Sequence, residues 1–449
     1  MNERAMRVRD AVFGDIILND WEEACTRTPS FQRLHRIKQL GNAFQAYPSA
    51  MHTRFEHSLG VCNQVKKLFS QPRFFLEGKK PDVSEQRIVQ LAALLHDIVH
   101  FPFKHTLDRD ASILAEEDPV KEYGYWIDRI LSEQHYLKNE LKHETIDSLL
   151  NILTISSKES DKLKSPYQKQ IIEDTISADL LDYSRRDTYF TIGSVKQWDE
   201  RVYDHIAIVD YLGKPHLGAR VLDESRKRTQ SAITELTNLL QVRYLLNERV
   251  YFYPVKIAAD SLLAKSVRGL INSGFDAKKF KELIKGMSDE EVVNFLIAKK
   301  KIPDVNLYAT NLKNRELPKA AFSIGVDQLQ KMAIHQQNYL GRCFRGQDNL
   351  DKWLEYEYKI AKSAGVPQNS VIIYCHDPDM QKKEPHFLVD DEDGLQDVQA
   401  NLMMRSEVTF IAGKHQNLWR CYVFSLNREP KIIEKIKKAA NECFANLSP

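Results

Sequence analysis

Long apolar runs are missing from this chain of 449 residues: none approaches the eighteen or so residues of a membrane span. The N-terminal Met1-Asn2-Glu3-Arg4 carries acid early and lacks the apolar core of a secretory signal. The six cysteines, Cys25, Cys62, Cys343, Cys375, Cys421 and Cys443, include no Cys-x-x-Cys pair, which argues against a disulfide framework and for a reduced, cytoplasmic protein. An excess of one charge is also absent. The net charge of +2 speaks against a surface built to coat nucleic acid, yet leaves room for a local basic pocket. There is no internal repeat and no low-complexity tract. What remains is the composition of an ordinary globular protein, 43% apolar and 28% charged, long enough for two or three domains.

The informative stretch is Leu94-Leu95-His96-Asp97-Ile98-Val99-His100-Phe101-Pro102-Phe103-Lys104-His105. It follows an apolar run, Ile88 to Leu95, that reads as a buried helix. Core packing does not need three histidines and an aspartate within ten residues. Imidazole and carboxylate side by side are ligands for a divalent metal. Upstream stands Arg54-Phe55-Glu56-His57-Ser58-Leu59-Gly60, and downstream Ser177-Ala178-Asp179-Leu180-Leu181-Asp182-Tyr183. The resulting order, His57, then His96-Asp97, then Asp179, suits a cation that offsets phosphate charge and acidifies a water. Mixed nitrogen and oxygen ligands fit iron, manganese or zinc alike.

Periodicity predicts mostly helix. A short extended or hairpin segment spans residues 7–18, turning at Gly14-Asp15. Ser30 is read as the N-cap of a helix from Phe31 to Leu40. Further helices are expected over 52–69, 85–98 and Phe103 to Ala111, over much of 120–153, over 171–186 with Asp179 on it, and over 224–247 and 254–272. Residues 274–305 read as lysine-rich and short-helical. Past residue 365 the texture turns β-rich, at Ser370 to Tyr374, His386 to Val389, Val408 to Ile411 and Trp419 to Phe424, before a closing helix over 430–446. The fold class expected is mainly α, a helical core with a smaller α+β C-terminal lobe. The expected divisions are 1–270 (catalytic core), 271–365 (helical extension) and 366–449 (C-terminal lobe).

These motifs resemble the deoxynucleoside triphosphate triphosphohydrolase branch of the HD superfamily over roughly residues 7 to 265. The likeness is most specific in Phe31-Gln32-Arg33-Leu34, Lys38-Gln39-Leu40-Gly41, Thr53 to Val61, Leu95 to His105 and Ala178 to Asp187. The Gln-Leu-Gly element is not general to HD proteins and points to this branch. The resemblance implies that His57, His96, Asp97 and Asp179 hold the metal. It implies His105 as general acid with Asp108 orienting its ring, and His100 and His143 lining the same site. Arg54 would meet the α-phosphate, and Gln39 and Asp187 the sugar 3′-hydroxyl, with Leu40 beside them. Tyr183 would stand where a 2′-hydroxyl would be, Arg243 would meet the outer phosphates and Tyr251 would stack near the base. His35, His52 and His135 read as surface or packing residues. Mg²⁺ would accompany the nucleotide phosphates, and the family pattern implies a homo-oligomer with a nucleotide effector.

One departure is Leu180, where many members carry a basic residue toward the triphosphate. It keeps a second reading in play, an HD nucleotidase or phosphodiesterase. A third reading is a nucleotide sensor whose C-terminal lobe binds a partner or second messenger.

Overall fold

The computed structural model describes residues 6–76, 80–110, 113–114, 117–193, 198–343, 350–376 and 385–445. Strands β1 (Met6–Asp10) and β2 (Gly14–Leu18) form the expected N-terminal hairpin, with Gly14 at φ 74 where the left-handed region favours glycine. The predicted helix over 31–40 is instead a short turn of helix, Pro29–Gln32, followed by a 3₁₀ turn, Arg33–Arg36. The cap is Thr28, whose hydroxyl accepts from Phe31 N–H, because Pro29 suits the first helical position.

The longer helices are α1 (Arg54–Ser70), α2 (Val83–Leu95), α3 (Pro119–Glu133), α4 (His143–Thr154), α5 (Ala178–Phe190), α6 (Gln230–Leu246), α7 (Pro254–Asn272), α8 (Pro303–Lys313), α9 (Leu350–Ala364), α10 (Arg405–Gln416) and α11 (Pro430–Ala445). The expected helix over 171–186 is split: Ser177 caps α5 anew, its hydroxyl accepting from Leu180 N–H. After Pro102 the chain restarts as a π-helical turn, His105–Asp110; Ala111, its expected end, lies outside the described residues.

Two further sheets were not foreseen in full. One joins β3 (Ile206–Tyr211), β4 (Lys214–Arg220), β7 (Leu388–Asp391) and β8 (Gly394–Asp397) in that order, with β4 and β7 parallel. The other runs β5 (Lys319–Gly325), β9 (Arg420–Ser425), β6 (Val371–Cys375). The α+β texture expected past residue 365 is present, and its strands complete sheets begun at 206 and 319. The strand expected at Val408 to Ile411 lies in α10, whose Val408 and Ile411 pack, three apart, into the main core.

That main core gathers α1, α2, α5 and α6. A second cluster forms around α7, and a third under β5, β6 and β9. Buried polar ties join the first to the second. Asp260 of α7 accepts from Asn42 (2.8 Å) and from the Thr106 hydroxyl (3.1 Å), and Lys38 N–H donates to Asp289 (2.8 Å). No described helix is long and apolar enough to cross a membrane.

Candidate metal centre and its surroundings

Helix α1 opens with a box in which the Glu56 carboxylate accepts the Thr53 N–H and hydroxyl. Its first turn then aims Arg54 and His57 inward, both buried. His96 ends α2, and its Nδ1 lies 2.8 Å from Ala93 O. That contact assigns the proton to Nδ1 and leaves Nε2 as a lone-pair donor. His57 is oriented in the same way, with Nδ1 2.7 Å from Asp182 Oδ2. His57, His96 and Asp97 present ligand atoms within 4.8 Å of one another. Asp179, in the first turn of α5, brings Oδ1 to 3.1 Å from His57 Nε2 and 4.0 Å from His96 Nε2. The four predicted ligands thus converge.

The cluster fits a divalent cation. His96 Nε2 is buried without a hydrogen-bond partner among the described residues, which is costly unless something else uses its lone pair. Two carboxylates face two imidazoles across a gap of coordination size. Burial disfavours a charged His57, but Asp179 and Asp182 outweigh it and hold its pKa up to about 10. The same negative field would favour a divalent cation in place of that proton. Burial likewise opposes the Asp97 carboxylate, yet His100, His96, Arg54 and His57 hold its pKa well below the usual range.

The surrounding residues fall into groups. Arg54 Nη1 lies 2.5 Å from Asp97 Oδ2, at the edge of the cluster. His100 Nε2 is 3.2 Å from Asp97 Oδ1; burial, then Arg54, keep its ring neutral. His105 is exposed, its ring 5.0 Å from that of His100, and Asp108 is buried on the same turn. Phe103, at φ 57, holds a left-handed conformation two residues before His105, a strained choice for a phenylalanine. His143 is not gathered in. It begins α4 with 90% of its side chain exposed and pairs with Asp147 at 2.8 Å, because the helix turns its first residue to solvent.

Two turns below Asp179, Asp187 is buried between His52 Nε2 (2.8 Å) and the Tyr251 hydroxyl (2.5 Å). Tyr251 meets the Tyr183 ring edge-on at 6.5 Å. Tyr251 is thereby grouped with Asp187 and Tyr183. Gln39 and Leu40 are half-buried, and Gln39 Oε1 lies buried without a partner among the described residues. Arg243 is half-buried and close enough to Tyr183 and Asp174 to bias their ionisation. Leu180 points the other way, 2% exposed in the core.

Sequence reasoning gave no role to a buried brace behind His57. Arg186 grips Asp182 (Nη2–Oδ1 2.9 Å) and reaches Asp10 of β1 (2.8 Å). It also passed over Arg33, whose guanidinium donates to the carbonyls of His100 (2.6 Å) and Ile98 and lies over Trp126. That fork fixes the bend between Asp97 and His100. One signal was present: Asp182 is three residues after Asp179. His52 was grouped with surface or packing histidines; it is fully buried on Asp187.

Residues 54–187 match the model of the HD domain, and residues 229–447 that of the HD associated region. The chain belongs to the HD superfamily. An uncharacterized protein of Methanocaldococcus jannaschii is 29% identical over 291 residues, 64% of this chain and 54% of that one. The deoxynucleoside triphosphate triphosphohydrolase SAMHD1 homolog of Dictyostelium discoideum is 23% identical over 306 residues, 64% of this chain and 52% of that one. The chain spans about half the length of the curated relatives it matches. A crystal structure of a phosphohydrolase from Bacteroides thetaiotaomicron superposes with TM-score 0.66 at 21% identity, covering 94% of this chain and all of that one. That likeness speaks to the fold. HD membership together with the His-His-Asp cluster supports a metal-dependent phosphohydrolase.

Proposed function

We propose that this HD protein hydrolyses deoxynucleoside triphosphates to deoxynucleoside and tripolyphosphate. The observation that carries the reading is Asp187. A buried carboxylate braced by His52 and Tyr251 stands on the metal-ligand helix, with Tyr183 between it and Asp179. This is a place for a sugar hydroxyl beside a phosphate centre, and the orphan Gln39 Oε1 offers a second contact to it. Tyr183 occupies space that a 2′-hydroxyl would claim, which favours deoxyribose by clash.

A divalent cation held by His57, His96, Asp97 and Asp179 would offset phosphate charge and acidify a water. Arg54 leaves Asp97 to grip the α-phosphate, for which its planar fork is suited. Neutral His100 donates to a phosphate oxygen. The water oxygen bonds to the α-phosphorus while the bond to the sugar O5′ breaks. His105, exposed at the rim with Asp108 on its own turn, delivers the proton to that leaving oxygen. Arg243 and Mg²⁺ serve the outer phosphates. The role of such an enzyme is control or depletion of the dNTP pool in the cytoplasm, including in defence against phage.

A second reading rests on Leu180 and Asp174. The first residue after Asp179 faces the core instead of offering a cation, and Arg243 has a carboxylate close by. Both favour an ester with fewer phosphates. Product analysis separates the two: each dNTP and NTP is incubated with Mn²⁺ or Mg²⁺, and the products are resolved by anion exchange. Deoxynucleoside with tripolyphosphate supports the first reading. Orthophosphate from a monophosphate, with triphosphates untouched, supports the second.

A further inference from the structure

Asp260 is fully buried in the middle of α7, where a charged side chain is costly unless it is paired and hydrogen-bonded. Lys256, one turn earlier on the same helix, brings its ammonium to 2.7 Å from Oδ2. The other oxygen, Oδ1, takes two donors from far away in sequence. The Asn42 amide reaches it at 2.8 Å and the Thr106 hydroxyl at 3.1 Å, and both side chains are buried. A single carboxylate oxygen thus ties together two segments that lie 64 positions apart in the chain.

Those two segments carry groups that would work on one sugar. Asn42 stands three residues after Gln39, whose orphan Oε1 is the proposed contact to the sugar hydroxyl. Thr106 follows His105, the proposed proton donor to the leaving O5′, inside the π-helical turn His105–Asp110. Local preference does not decide where that turn sits. Phe103, just before it, is held left-handed at φ 57, a conformation that a phenylalanine adopts only when its surroundings impose it. Phe103 Cδ1 lies 3.5 Å from where a Gly41 Cβ would stand, so the two segments also meet directly beside the tie. Thr106 departs from the usual behaviour of a helical threonine as well. Thr154, Thr188, Thr191 and Thr234 return their hydroxyls to the carbonyl four residues back. Thr106 donates across to α7 instead.

We propose that Asp260 is a positioning residue, a role that rests on the triphosphohydrolase reading above. Through Thr106 and Asn42 it fixes the spacing between the acid that protonates O5′ and the group that holds the 3′-hydroxyl. Both oxygens belong to one sugar, so their protein partners must keep a matching separation. A misplacement of about 1 Å at such a distance from the chemistry can cost about a hundredfold in rate.

The test is a double-mutant cycle on steady-state turnover of a dNTP with Mn²⁺. The chains are wild type, Thr106→Val, Thr106→Ser, His105→Ala and His105→Ala with Thr106→Val, each also titrated with Mn²⁺ by calorimetry. Valine keeps the shape of threonine and removes the donor. Thr106→Val should lower kcat about ten- to a hundredfold, with KM and Mn²⁺ affinity near those of wild type. Thr106→Ser keeps the hydroxyl and should restore kcat. In the His105→Ala background the same valine should cost less than about twofold, because the group being positioned is gone. An equal loss in both backgrounds would reveal a merely structural tie and overturn the positioning role, as would wild-type kcat in Thr106→Val. Wild type that turns over no dNTP would overturn the triphosphohydrolase reading and this role with it; turnover indifferent to Thr106→Val would remove this role alone.

Discussion

Replacing Gly60 with alanine puts a methyl group where α1 and α5 touch. The new Cβ would stand 1.7 Å from Asp182 Oδ1 and 2.5 Å from Arg186 Nη2. Non-bonded atoms need about 3.5 Å, so something must move. If the helices part, the loss is that of an overpacked core, about 1–3 kcal/mol. If Asp182 swings away, the buried Asp10–Arg186–Asp182 chain breaks, which costs about 3–5 kcal/mol. The cheaper route sets the outcome. Alanine's better helix propensity returns about 1 kcal/mol, leaving a net loss of about 0–2 kcal/mol. On either route His57 loses the acceptor that orients it, so cation affinity falls as well. Gly124, inside α3, is the control: its Cβ would meet nothing within 4 Å, so Gly124→Ala should gain about 0.5–1 kcal/mol. Urea unfolding of both variants beside wild type, with calorimetric Mn²⁺ titration, reads the difference. The reasoning is refuted if Gly60→Ala is as stable as Gly124→Ala and binds Mn²⁺ like wild type.

Arg33→Lys should cost about 2–4 kcal/mol in urea unfolding, because an ammonium cannot serve both the Ile98 and His100 carbonyls and one is left buried; a loss under 1 kcal/mol would contradict the bracing role. Burial, with Lys256 and Arg420 nearby, pulls the His376 pKa to about 3, so the folded chain keeps it neutral. The unfolded chain protonates it near pH 6.5, so this stability is present above that pH and drains away as pH falls toward 3. Between pH 7 and 5 wild type should lose about 2 kcal/mol more than His376→Asn, as measured by urea unfolding at both values. His143→Ala should leave turnover within about twofold of wild type, since the ring sits in solvent on Asp147; a large loss in a steady-state assay would restore it to the site.

The candidate metal-holding residues were legible because coordination needs scarce residue types, and these are tied to local spacing: His96-Asp97 at the end of an apolar helix, and Asp179, Tyr183 and Asp187 on one helical face. The hairpin at β1 and β2 was legible from alternation and a turn glycine. The brace through Asp10, Arg186 and Asp182 was not, because its meaning lies in contacts across up to 176 positions of sequence. The same holds for the sheets. β7 reads as a strand, but nothing local says that its partner is β4, some 170 residues earlier. Val408 to Ile411 misled because a short apolar run with β-branched residues suits either period, and packing against α6 decided for helix. For Tyr251, only the fold shows its hydroxyl on Asp187.

The central claim is attack on the α-phosphorus at the His57–His96–Asp97–Asp179 cluster, and turnover in water enriched in heavy oxygen tests it most directly. With a dNTP and Mn²⁺, mass spectrometry should find the label in tripolyphosphate, none in the deoxynucleoside or orthophosphate, and no turnover in Asp97→Ala. Label in orthophosphate or in the deoxynucleoside, or turnover that survives Asp97→Ala, would contradict it.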